Sequence, residues 1–326
     1  MAPTKLAFAP AVSETLRKTM VKDVMSGKRF VVDEKMSVVQ ASALLARNGI
    51  SSAPIQTKTG FVGMVDYADL LTLVISGLRA QRAIDFSVGF EEQLTTLTDA
   101  ALGPSSSVKL ACDMSKTNPM TVIEQNETLE RAALVLLEND VHRLCVVDSC
   151  DTFAGVVSLS DVLYYLKDHL DAFPEKSVEE LGLLQKKVVT IPGDRPVLEA
   201  LEMMVDLKIS SVGVVDDDGD LVTVISLSDC KKIIKEGHTL PLLKVDCREF
   251  AAKVRSDAAL EKHKGSDTFP YFAVHRDTPL KVAVSKLCAV RAHRLFVIEG
   301  GPHFSTTPIG VLSISDILKA LLLRSS

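Results

Sequence analysis

Tryptophan is missing from the 326-residue chain and aromatic residues make up only 5% of it, so a hydrophobic core must be built from aliphatic side chains. No apolar run approaches the ~20 residues that a transmembrane helix needs, and the segment up to Lys18 holds no apolar stretch like that of a secretory signal. A basic excess is missing as well, because 37 Lys and Arg residues stand against 42 Asp and Glu residues. Nucleic-acid-binding domains usually carry a clear positive charge. We therefore expect neither membrane insertion nor nucleic-acid binding.

Six cysteines are present, but none forms a C-x-x-C pair and their spacings do not recur. A disulfide framework or a zinc site would need such a pattern. Reduced thiols in an intracellular protein are therefore the favoured interpretation. We expect no bound metal and a cytoplasmic location, with the nucleus left open as a second compartment.

A pattern that recurs four times dominates the sequence. Each copy contains a Val- and Ile-rich run, a helix, a β-branched strand, a turn, a second strand, and an Asp that opens another helix. In repeats two, three and four this Asp closes an S-x-S-D motif, whereas repeat one reads Asp66-Tyr67-Ala68-Asp69. We predict an α/β fold of β-α-β-β-α repeats with small mixed sheets. The predicted domains are residues 19–80, 108–170, 182–237 and 240–324.

Local signals place the helices within these repeats. Ser37 and Gln40 form a capping-box pattern that opens the first helix of repeat one. In repeat four, Thr278 precedes Pro279, which predicts a cap followed by proline at the first helical position. Residues 240–267 carry mixed charges and are predicted to form a helical lead-in to repeat four.

The S-x-S-D motif lies where a strand ends and a helix begins. Free backbone N–H groups and the helix dipole attract an anion at such a point, and the serine hydroxyls add neutral donors. A carboxylate there can accept hydrogen bonds from the two hydroxyls of a ribose. Plain helix capping is the alternative, because Ser and Asp are preferred N-cap residues. The recurrence of the motif favours the binding interpretation.

Two His-Arg pairs, His142-Arg143 and His293-Arg294, occupy equivalent positions at the start of a strand in repeats two and four. Arginine presents a planar fork of donors that suits phosphate, and histidine can donate a further hydrogen bond. A surface pair whose side chains lie along apolar surface is the alternative. The alternation predicts that repeat one pairs with two and repeat three with four. It also predicts that the four side chains converge on a shared cavity rather than on bulk solvent.

Catalytic signatures are absent from the sequence. It contains no glycine-rich phosphate loop and no full set of kinase motifs, no nucleophile beside a base, and no cluster at metal-ligand spacing. We therefore expect no enzyme activity.

The repeat resembles the cystathionine-beta-synthase (CBS) domain, and four copies in one chain resemble the gamma regulatory subunit of AMP-activated (SNF1-type) protein kinase. The resemblance is carried by Asn48-Gly49-Ile50, Val141-His142-Arg143-Leu144, His293-Arg294-Leu295 and, outside the repeat, residues 176–181 (KSVEEL). It implies four CBS domains arranged as two pairs in a flattened disc. It also implies a non-catalytic subunit without a cofactor that binds AMP, ADP or ATP in clefts between repeats. Such a subunit would join a catalytic alpha and a scaffolding beta subunit in a heterotrimeric kinase that senses energy state.

The resemblance also assigns candidate nucleotide-binding residues. The closing carboxylates are implied to hold ribose and the His-Arg pairs to face phosphate, with the serine hydroxyls of the S-x-S-D motifs near the nucleotide. The full set is Asp69, His142, Arg143, Ser158, Asp161, Ser226, Ser228, Asp229, His293, Arg294, Ser313, Ser315 and Asp316.

Repeats one and two depart from the pattern of the gamma subunits. Ser51 stands where a phosphate-binding Arg is typical, and Asp66 and Ala68 stand where threonines are typical. Repeat two has Ser160-Asp161 where a basic pair is typical. The chain therefore has fewer cations and one more carboxylate than the family pattern.

These departures predict that the four pockets are not equivalent. A carboxylate close to an approaching phosphate disfavours binding, so the pocket beside Asp66 is predicted to be the poorest. The pockets of Asp229 and Asp316 are predicted to be the best occupied. Two alternatives to the kinase subunit stay open: a stand-alone CBS regulator of another target, and a scaffold with largely empty pockets.

Overall fold

The computed structural model describes residues 9–82, 107–184, 187–229, 239–261, 271–299 and 305–323. The chain forms two compact units, each built from separate segments. Unit 1 comprises residues 1–29, 120–188 and 271–326, and unit 2 comprises residues 30–119 and 189–270. Unit 1 therefore contains repeats two and four, whereas unit 2 contains repeats one and three.

The α-helices of the described residues are α1 (Pro10–Arg17), α2 (Val21–Val24), α3 (Val38–Arg47), α4 (Tyr67–Arg82), α5 (Leu129–Glu138), α6 (Leu159–Leu166), α7 (Val197–Asp206), α8 (Thr239–Lys244), α9 (Cys247–Glu261), α10 (Leu280–Val290) and α11 (Ile314–Leu322). Short 3-10 helices span Val108–Ala111 and Lys167–Ala172. Among these described helices, none is long and apolar enough to cross a membrane.

The strands are β1 (Val32–Asp33), β2 (Ser52–Thr57), β3 (Gly60–Asp66), β4 (Val122–Glu124), β5 (Arg143–Val147), β6 (Phe153–Ser158), β7 (Thr190–Pro192), β8 (Ser211–Val215), β9 (Leu221–Ser226), β10 (Ala273–His275), β11 (Arg294–Ile298) and β12 (Pro308–Ser313). Each repeat contributes one three-stranded sheet, in the orders β1-β2-β3, β4-β5-β6, β7-β8-β9 and β10-β11-β12. In each sheet the first two strands are parallel and the last two antiparallel. A parallel pair needs a crossover, which a helix supplies in every repeat. The predicted α/β class with small mixed sheets is confirmed.

The capping signals form as predicted in repeat one and shift by one residue in repeat four. Ser37 Oγ accepts a hydrogen bond from Gln40 N (3.2 Å), and Gln40 Oε1 accepts one from Ser37 N (2.8 Å). Pro279 has an extended ψ of 140°, so it is itself the N-cap residue and α10 begins one residue later. Thr278 Oγ1 instead accepts a hydrogen bond from His275 N at 3.0 Å. The predicted cap at Thr278 is therefore wrong.

The core of unit 1 is aliphatic and is shared by repeats two and four. Helices α5 and α6 of repeat two pack against α11, α6 also packs against α10, and α1 packs against α5 and α11. Leu144, Leu163, Leu287 and Leu318 are fully buried in this core. Burying one Leu side chain contributes about 1.5–3 kcal/mol, so these repeats hold each other together. The hydrophobic cores thus join repeats two and four rather than one and two, and the predicted pairing of repeat one with two stays a prediction.

The core of unit 2 joins repeats one and three in the same way. Helix α7 of repeat three packs against α4 of repeat one and against α8 and α9. Phe250 on α9 is fully buried and is the largest such side chain in the described chain. Arg79 on α4 donates to both carboxylate oxygens of Asp206 on α7, at 2.6 and 2.8 Å. The predicted lead-in is helical in α8 and α9, as far as residue 261, and Leu243, Cys247 and Phe250 place it in the core. Residues 262–267 lie outside the described residues.

The outer edge of the last strand is covered at the same position in repeats one and two. Met64 O on β3 accepts a hydrogen bond from Asp113 N (3.2 Å), and Val156 on β6 exchanges backbone hydrogen bonds with Ser26 (3.0 and 3.3 Å). Uncovered strand edges are prone to pair with other chains. These contacts therefore protect the sheets.

Repeat three covers the same edge position with a side chain. Arg255 Nη2 on α9 donates to Val224 O on β9 at 3.2 Å. The residue before that position is Thr223, whereas repeats one and two have Gly63 and Gly155 there. A Cβ at either glycine would lie 2.3 Å from its covering segment. Where a backbone segment covers the strand edge, the strand residue beneath it must therefore be glycine. Where the long side chain of Arg255 covers the edge, there is space for Thr223.

Gly155→Ala is expected to destabilise unit 1 by about 1–3 kcal/mol, the usual effect of overpacking. The added Cβ would meet Ser26 O at 2.3 Å and push the strand away from its cover. Gly27→Ala is the matched control, since no atom lies within 4 Å of a Cβ built there. Urea unfolding of both variants measures the effect, and equal midpoints would contradict the close contact.

Candidate functional site

Repeats two and four each place an arginine, a serine and an aspartate at one end of the sheet. Arg143 on β5 lies opposite Ser158, the last residue of β6, and Arg294 on β11 lies opposite Ser313, the last residue of β12. Directly opposed residues in antiparallel strands have Cβ atoms about 4.5–5.5 Å apart. The aspartate that closes each S-x-S-D motif follows in the first turn of α6 or α11. The two sequence motifs therefore meet at one place in each repeat.

The serine and the aspartate of each motif cap the helix that follows. Ser158 donates to Asp161 Oδ2 from its hydroxyl (2.7 Å) and its backbone N–H (2.8 Å), and Ser158 Oγ accepts from Asp161 N (3.3 Å). Ser313 and Asp316 repeat the arrangement at 2.6, 3.1 and 3.2 Å. The interpretation of the motif as a helix cap thus holds for Oδ2 of both aspartates. No hydrogen bond from the described residues reaches Oδ1 of Asp161, which leaves that oxygen for a ligand hydroxyl.

Burial shifts the pKa values of these groups. It lowers the pKa of Arg294 to about 10, while Asp316 acts in the opposite direction, so the guanidinium stays charged at neutral pH. Burial also raises the pKa of Asp161, against the hydrogen bonds from Ser158 that lower it. A half-buried guanidinium interacts strongly with an anion because few water molecules screen it.

The histidines of the His-Arg pairs behave differently from the arginines. The side chains of His142 and His293 are exposed, whereas Arg143 and Arg294 are half-buried. The backbone carbonyls of the histidines accept hydrogen bonds from the first residues of α6 and α11, at 3.0 and 3.2 Å. Surface of either histidine that borders an open, ligand-free cavity would also count as exposed, so the predicted convergence of the histidines and arginines on a shared cavity stays a prediction.

Repeat three has the serine and the aspartate but no arginine on its strand. Ser226 lies opposite Ser211, and it donates to Asp229 Oδ2 from its backbone N–H (2.7 Å) and its hydroxyl (2.8 Å). The second serine of the motif, Ser228, is exposed, whereas its counterpart in repeat four, Ser315, is half-buried.

Arg255 supplies repeat three with a cation that no sequence motif predicts. It is half-buried on α9, holds Val224 O with Nη2, and interacts electrostatically with Asp229, which raises its pKa against the lowering effect of burial. No local motif marks Arg255, because it lies outside the repeat. Only the packing of α9 against β9 brings it to the site.

Repeat one is closed by its own chain. Asp66, which lies opposite Ser52 at the end of β3, and Asp69 are both buried. Asp69 Oδ1 accepts hydrogen bonds from Ser115 N (2.9 Å) and Ser115 Oγ (2.6 Å). Asp69 Oδ2 accepts one from Asp66 N (3.0 Å), and Asp66 Oδ2 accepts one from Asn118 Nδ2 (2.8 Å). Asp69, a predicted ribose ligand, therefore already has chain donors on both oxygens.

The acidic pair of repeat one is electrostatically unfavourable. Burial and the neighbouring Asp66 raise the pKa of Asp69, and the hydrogen bonds from Ser115 only partly offset this. Asp113 stands nearby, and burial and Asp66 raise its pKa as well. Repeat one is thus an acidic, enclosed site, whereas repeats two and four present arginine.

The described residues contain no group of three or more His, Cys, Asp or Glu side chains that could hold a metal ion. Two of the cysteines are held in the thiol form, because burial raises the pKa of Cys112 to about 11 and that of Cys247 to about 12. A thiol must lose its proton to act as a nucleophile or a metal ligand.

Curated relatives of this chain carry the name Sds23. The SDS23 protein of Eremothecium gossypii is 28% identical over 296 residues, which cover 85% of this chain and 58% of the relative. The sds23 protein of Aspergillus niger is 31% identical over 248 residues, which cover 73% of this chain and 47% of the relative. The chain thus spans about half the length of the curated relatives it matches. Neither of these two relatives is named as a kinase gamma subunit.

Two solved structures share the fold over nearly the whole chain. An archaeal protein from Methanocaldococcus jannaschii, which has been suggested to be a homologue of γ-AMPK, superimposes with a TM-score of 0.69 at 15% identity and covers 92% of this chain and 99% of its own. A conserved protein from Pyrococcus horikoshii gives a TM-score of 0.53 at 17% identity, covering 93% and 100%. At these identities the likeness concerns the fold alone.

The family model for the CBS domain matches residues 21–76, 111–168, 178–236 and 267–323. Each match contains one of the four mixed sheets and the helix crossover that joins its parallel strands. The predicted four CBS repeats are therefore confirmed, and the chain belongs to the CBS-domain family.

Proposed function

We propose that this protein is a non-catalytic regulatory protein that binds adenine nucleotides at its CBS repeats, with repeats two and four as the principal sites. The observation that carries the proposal is the arrangement of arginine, serine and aspartate that occurs twice in unit 1. Arg143 stands opposite Ser158, Arg294 stands opposite Ser313, and a helix N-terminus follows each serine.

The chemistry of these groups fits the two polar parts of a nucleotide. Arginine binds phosphate oxygens in a planar, bidentate geometry, and a helix N-terminus favours negative charge. The carboxylate can accept hydrogen bonds from ribose hydroxyls, and Oδ1 of Asp161 is the oxygen that can do so. Repeat three offers a weaker version, with Arg255 as its cation. The residues His142, Asp229, His293 and Ser315 belong to the same proposed sites.

The role that nucleotide binding would serve is regulation of a partner protein. A ligand shifts the state of a partner only through differential affinity, and the coupling is reciprocal, so the partner must change nucleotide affinity by the same factor. The similarity to Sds23 proteins favours a regulator that is not a kinase gamma subunit. Location in the cytoplasm is part of this proposal.

A kinase gamma subunit is the second candidate, with catalytic alpha and scaffolding beta subunits as its partners. It is favoured by the stretch Lys176–Leu181, which overlaps the start of the third CBS match and resembles that family. In unit 1, Ser177 and Glu180 of this stretch cap each other at 2.7 and 3.2 Å. The stretch is therefore ordered, and Val178 and Leu181 are buried in the core. The exposed side chains of Lys176, Glu179 and Glu180 are the part that a partner could recognise.

Titration calorimetry of the purified chain with AMP, ADP and ATP tests the binding proposal. We expect saturable binding of at least one nucleotide, with affinity that falls as salt is added, because exposed ionic contacts are screened. Absence of binding of all three would favour the scaffold alternative and contradict the proposal.

Affinity capture of the tagged protein from its own cells separates the two regulatory roles. Kinase alpha and beta subunits in stoichiometric amounts would establish the second candidate. Other partners, with nucleotide-dependent recovery, would support the regulator that we favour.

A further inference from the structure

Repeat one differs from the other repeats in what contacts its closing carboxylates. In repeats two, three and four the first residue of the motif is a serine, whose hydroxyl donates a hydrogen bond to the closing aspartate. In repeat one that residue is Asp66, and the contacts to Asp69 come in addition from a separate segment, residues 115–118. This segment lies in the same compact unit as repeat one.

We propose that Ser115 and Asn118 form an internal pseudo-ligand of repeat one, which occupies the position that a ribose would take on Asp69 and keeps nucleosides out. The inference rests on the proposed function in one respect, namely that the closing aspartates bind ribose. It goes beyond that function because it assigns a different occupant, part of the chain itself, to one of the repeats.

The geometry of Ser115 imitates a diol. Its hydroxyl and its backbone N–H donate to the same oxygen of Asp69 at 2.6 and 2.9 Å, as two neighbouring hydroxyls of a ribose could. The hydroxyl is itself held by Thr117 Oγ1 at 2.8 Å, and Thr117 N donates to Ser115 Oγ at 3.3 Å. The donor pair is therefore fixed in place before any ligand arrives, so little conformational freedom has to be lost.

Asn118 fixes the other end of the segment. The buried amide of Asn118 donates to Asp66 Oδ2 at 2.8 Å, and Asp66 Oδ1 accepts from Ala68 N and Asp69 N at 2.8 and 3.0 Å. The two carboxylates are thus bridged by one short segment. Because Asp66 stands where the other motifs have Ser158, Ser226 and Ser313, repeat one has a second carboxylate to which the amide can attach.

A nucleotide has little to gain by displacing this segment. It would break two hydrogen bonds to Asp69 in order to form two, and its phosphate would meet Ser52 where repeats two and four have an arginine opposite the cap. Like charges at close range disfavour binding, and Asp66 and Asp113 both lie near. The segment is therefore expected to stay in place at saturating nucleotide.

Hydrogen exchange with residue-level fragmentation tests the proposal on the full chain, with AMP and adenosine as probes. In the ligand-free protein we expect the Ser115 amide to exchange at least tenfold more slowly than an unprotected amide, and neither probe should change its rate more than twofold. Fast exchange without ligand, or a rate that changes with AMP or adenosine, would overturn the pseudo-ligand.

Asp69→Ala tests the same contact from the carboxylate side. We expect at least a tenfold faster exchange of the Ser115 amide, while Asp161→Ala, the matched change in repeat two, leaves that rate unaltered. Equal rates in Asp69→Ala and the parent protein would overturn the proposal. If Asp69→Ala does not fold, the exchange rates of the Ser115 amide in the parent protein, with and without AMP or adenosine, decide whether the proposal holds.

The proposed function and this inference fail separately. If AMP slows no amide near Ser158 or Ser313, nucleotide binding at repeats two and four is contradicted, yet the protection of Ser115 in the ligand-free chain still decides whether the segment occupies Asp69. If those amides respond and the Ser115 amide responds with them, the proposed function stands and the pseudo-ligand does not.

Discussion

Arg294→Ala is expected to weaken AMP binding by at least tenfold. Charge-assisted hydrogen bonds to phosphate contribute about 1.5–3 kcal/mol each, and about 1.4 kcal/mol corresponds to a factor of ten in affinity. The half-buried position of Arg294 makes the effect larger than at an exposed site, because screening by water is reduced. Arg143→Ala should have a similar effect at repeat two. Titration calorimetry measures both.

Arg131→Ala is the matched control for these two variants. Arg131 lies in the same unit, on α5, and pairs with Glu138 at 3.8 Å while its side chain is 55% exposed. Its removal should leave AMP affinity within about twofold, since exposed ion pairs contribute only about 0.2–1 kcal/mol. Circular dichroism and urea midpoints verify that each variant is folded. Unchanged affinity in both Arg143→Ala and Arg294→Ala would contradict the assignment of the phosphate site.

The second large effect concerns the acidic pair of repeat one: the unfolding free energy of unit 2 should fall as the pH rises. Burial and Asp66 raise the pKa of Asp69 to about 7, from an ordinary value of 3.8. The folded state therefore holds a proton that the unfolded chain releases at lower pH. The stabilisation is complete below the unfolded pKa and is lost as the pH passes from about 4 to about 7. Each unit of pKa difference corresponds to about 1.4 kcal/mol, so the loss is on the order of a few kcal/mol.

Asp66→Ser separates this effect from the other carboxyls of the chain except Asp113, whose pKa Asp66 also raises. It removes the like charge and places at residue 66 the serine that caps the equivalent helices. We expect the stability of the variant relative to the parent to be more favourable at about pH 8 than at about pH 5, by about 1–2 kcal/mol, because the pKa of Asp69 returns toward its ordinary value. Urea unfolding followed by hydrogen exchange in α4 and α7 measures the difference. The same relative stability at both pH values would contradict the coupling between the two carboxyls.

The fold within each repeat could be predicted because its signals are local. A capping box such as Ser37-Gln40 and the S-x-S-D motifs each act over four residues, and the alternation of strands and helices follows from periodicity. The same locality explains the error at Thr278, since only the backbone dihedrals of Pro279 decide which of the two residues is the cap.

The contacts that decide what each repeat can bind could not be predicted, because they come from distant parts of the chain that no motif of that repeat marks. Arg255 reaches Asp229 through the packing of α9, and Ser115 reaches Asp69 through a segment that has no periodic pattern. The grouping of repeats two and four likewise depends on which helix faces fit each other. Residue types identified Asp69 as a possible ligand, but only the fold shows that its oxygens are in use.

The discontinuity of the two cores has a consequence for synthesis on the ribosome. Domains generally fold as units while the chain emerges from its N-terminus. Unit 2 is finished at residue 270, whereas unit 1 contains residues up to 29 and also residues 271–326. Helix α1 therefore cannot complete its packing until α11, against which it packs, has been synthesised. Repeats one and three can complete their core before that. Once residue 270 has left the ribosome, the nascent chain can carry a folded unit 2 together with an N-terminal segment and a repeat two whose apolar faces still need chaperone protection.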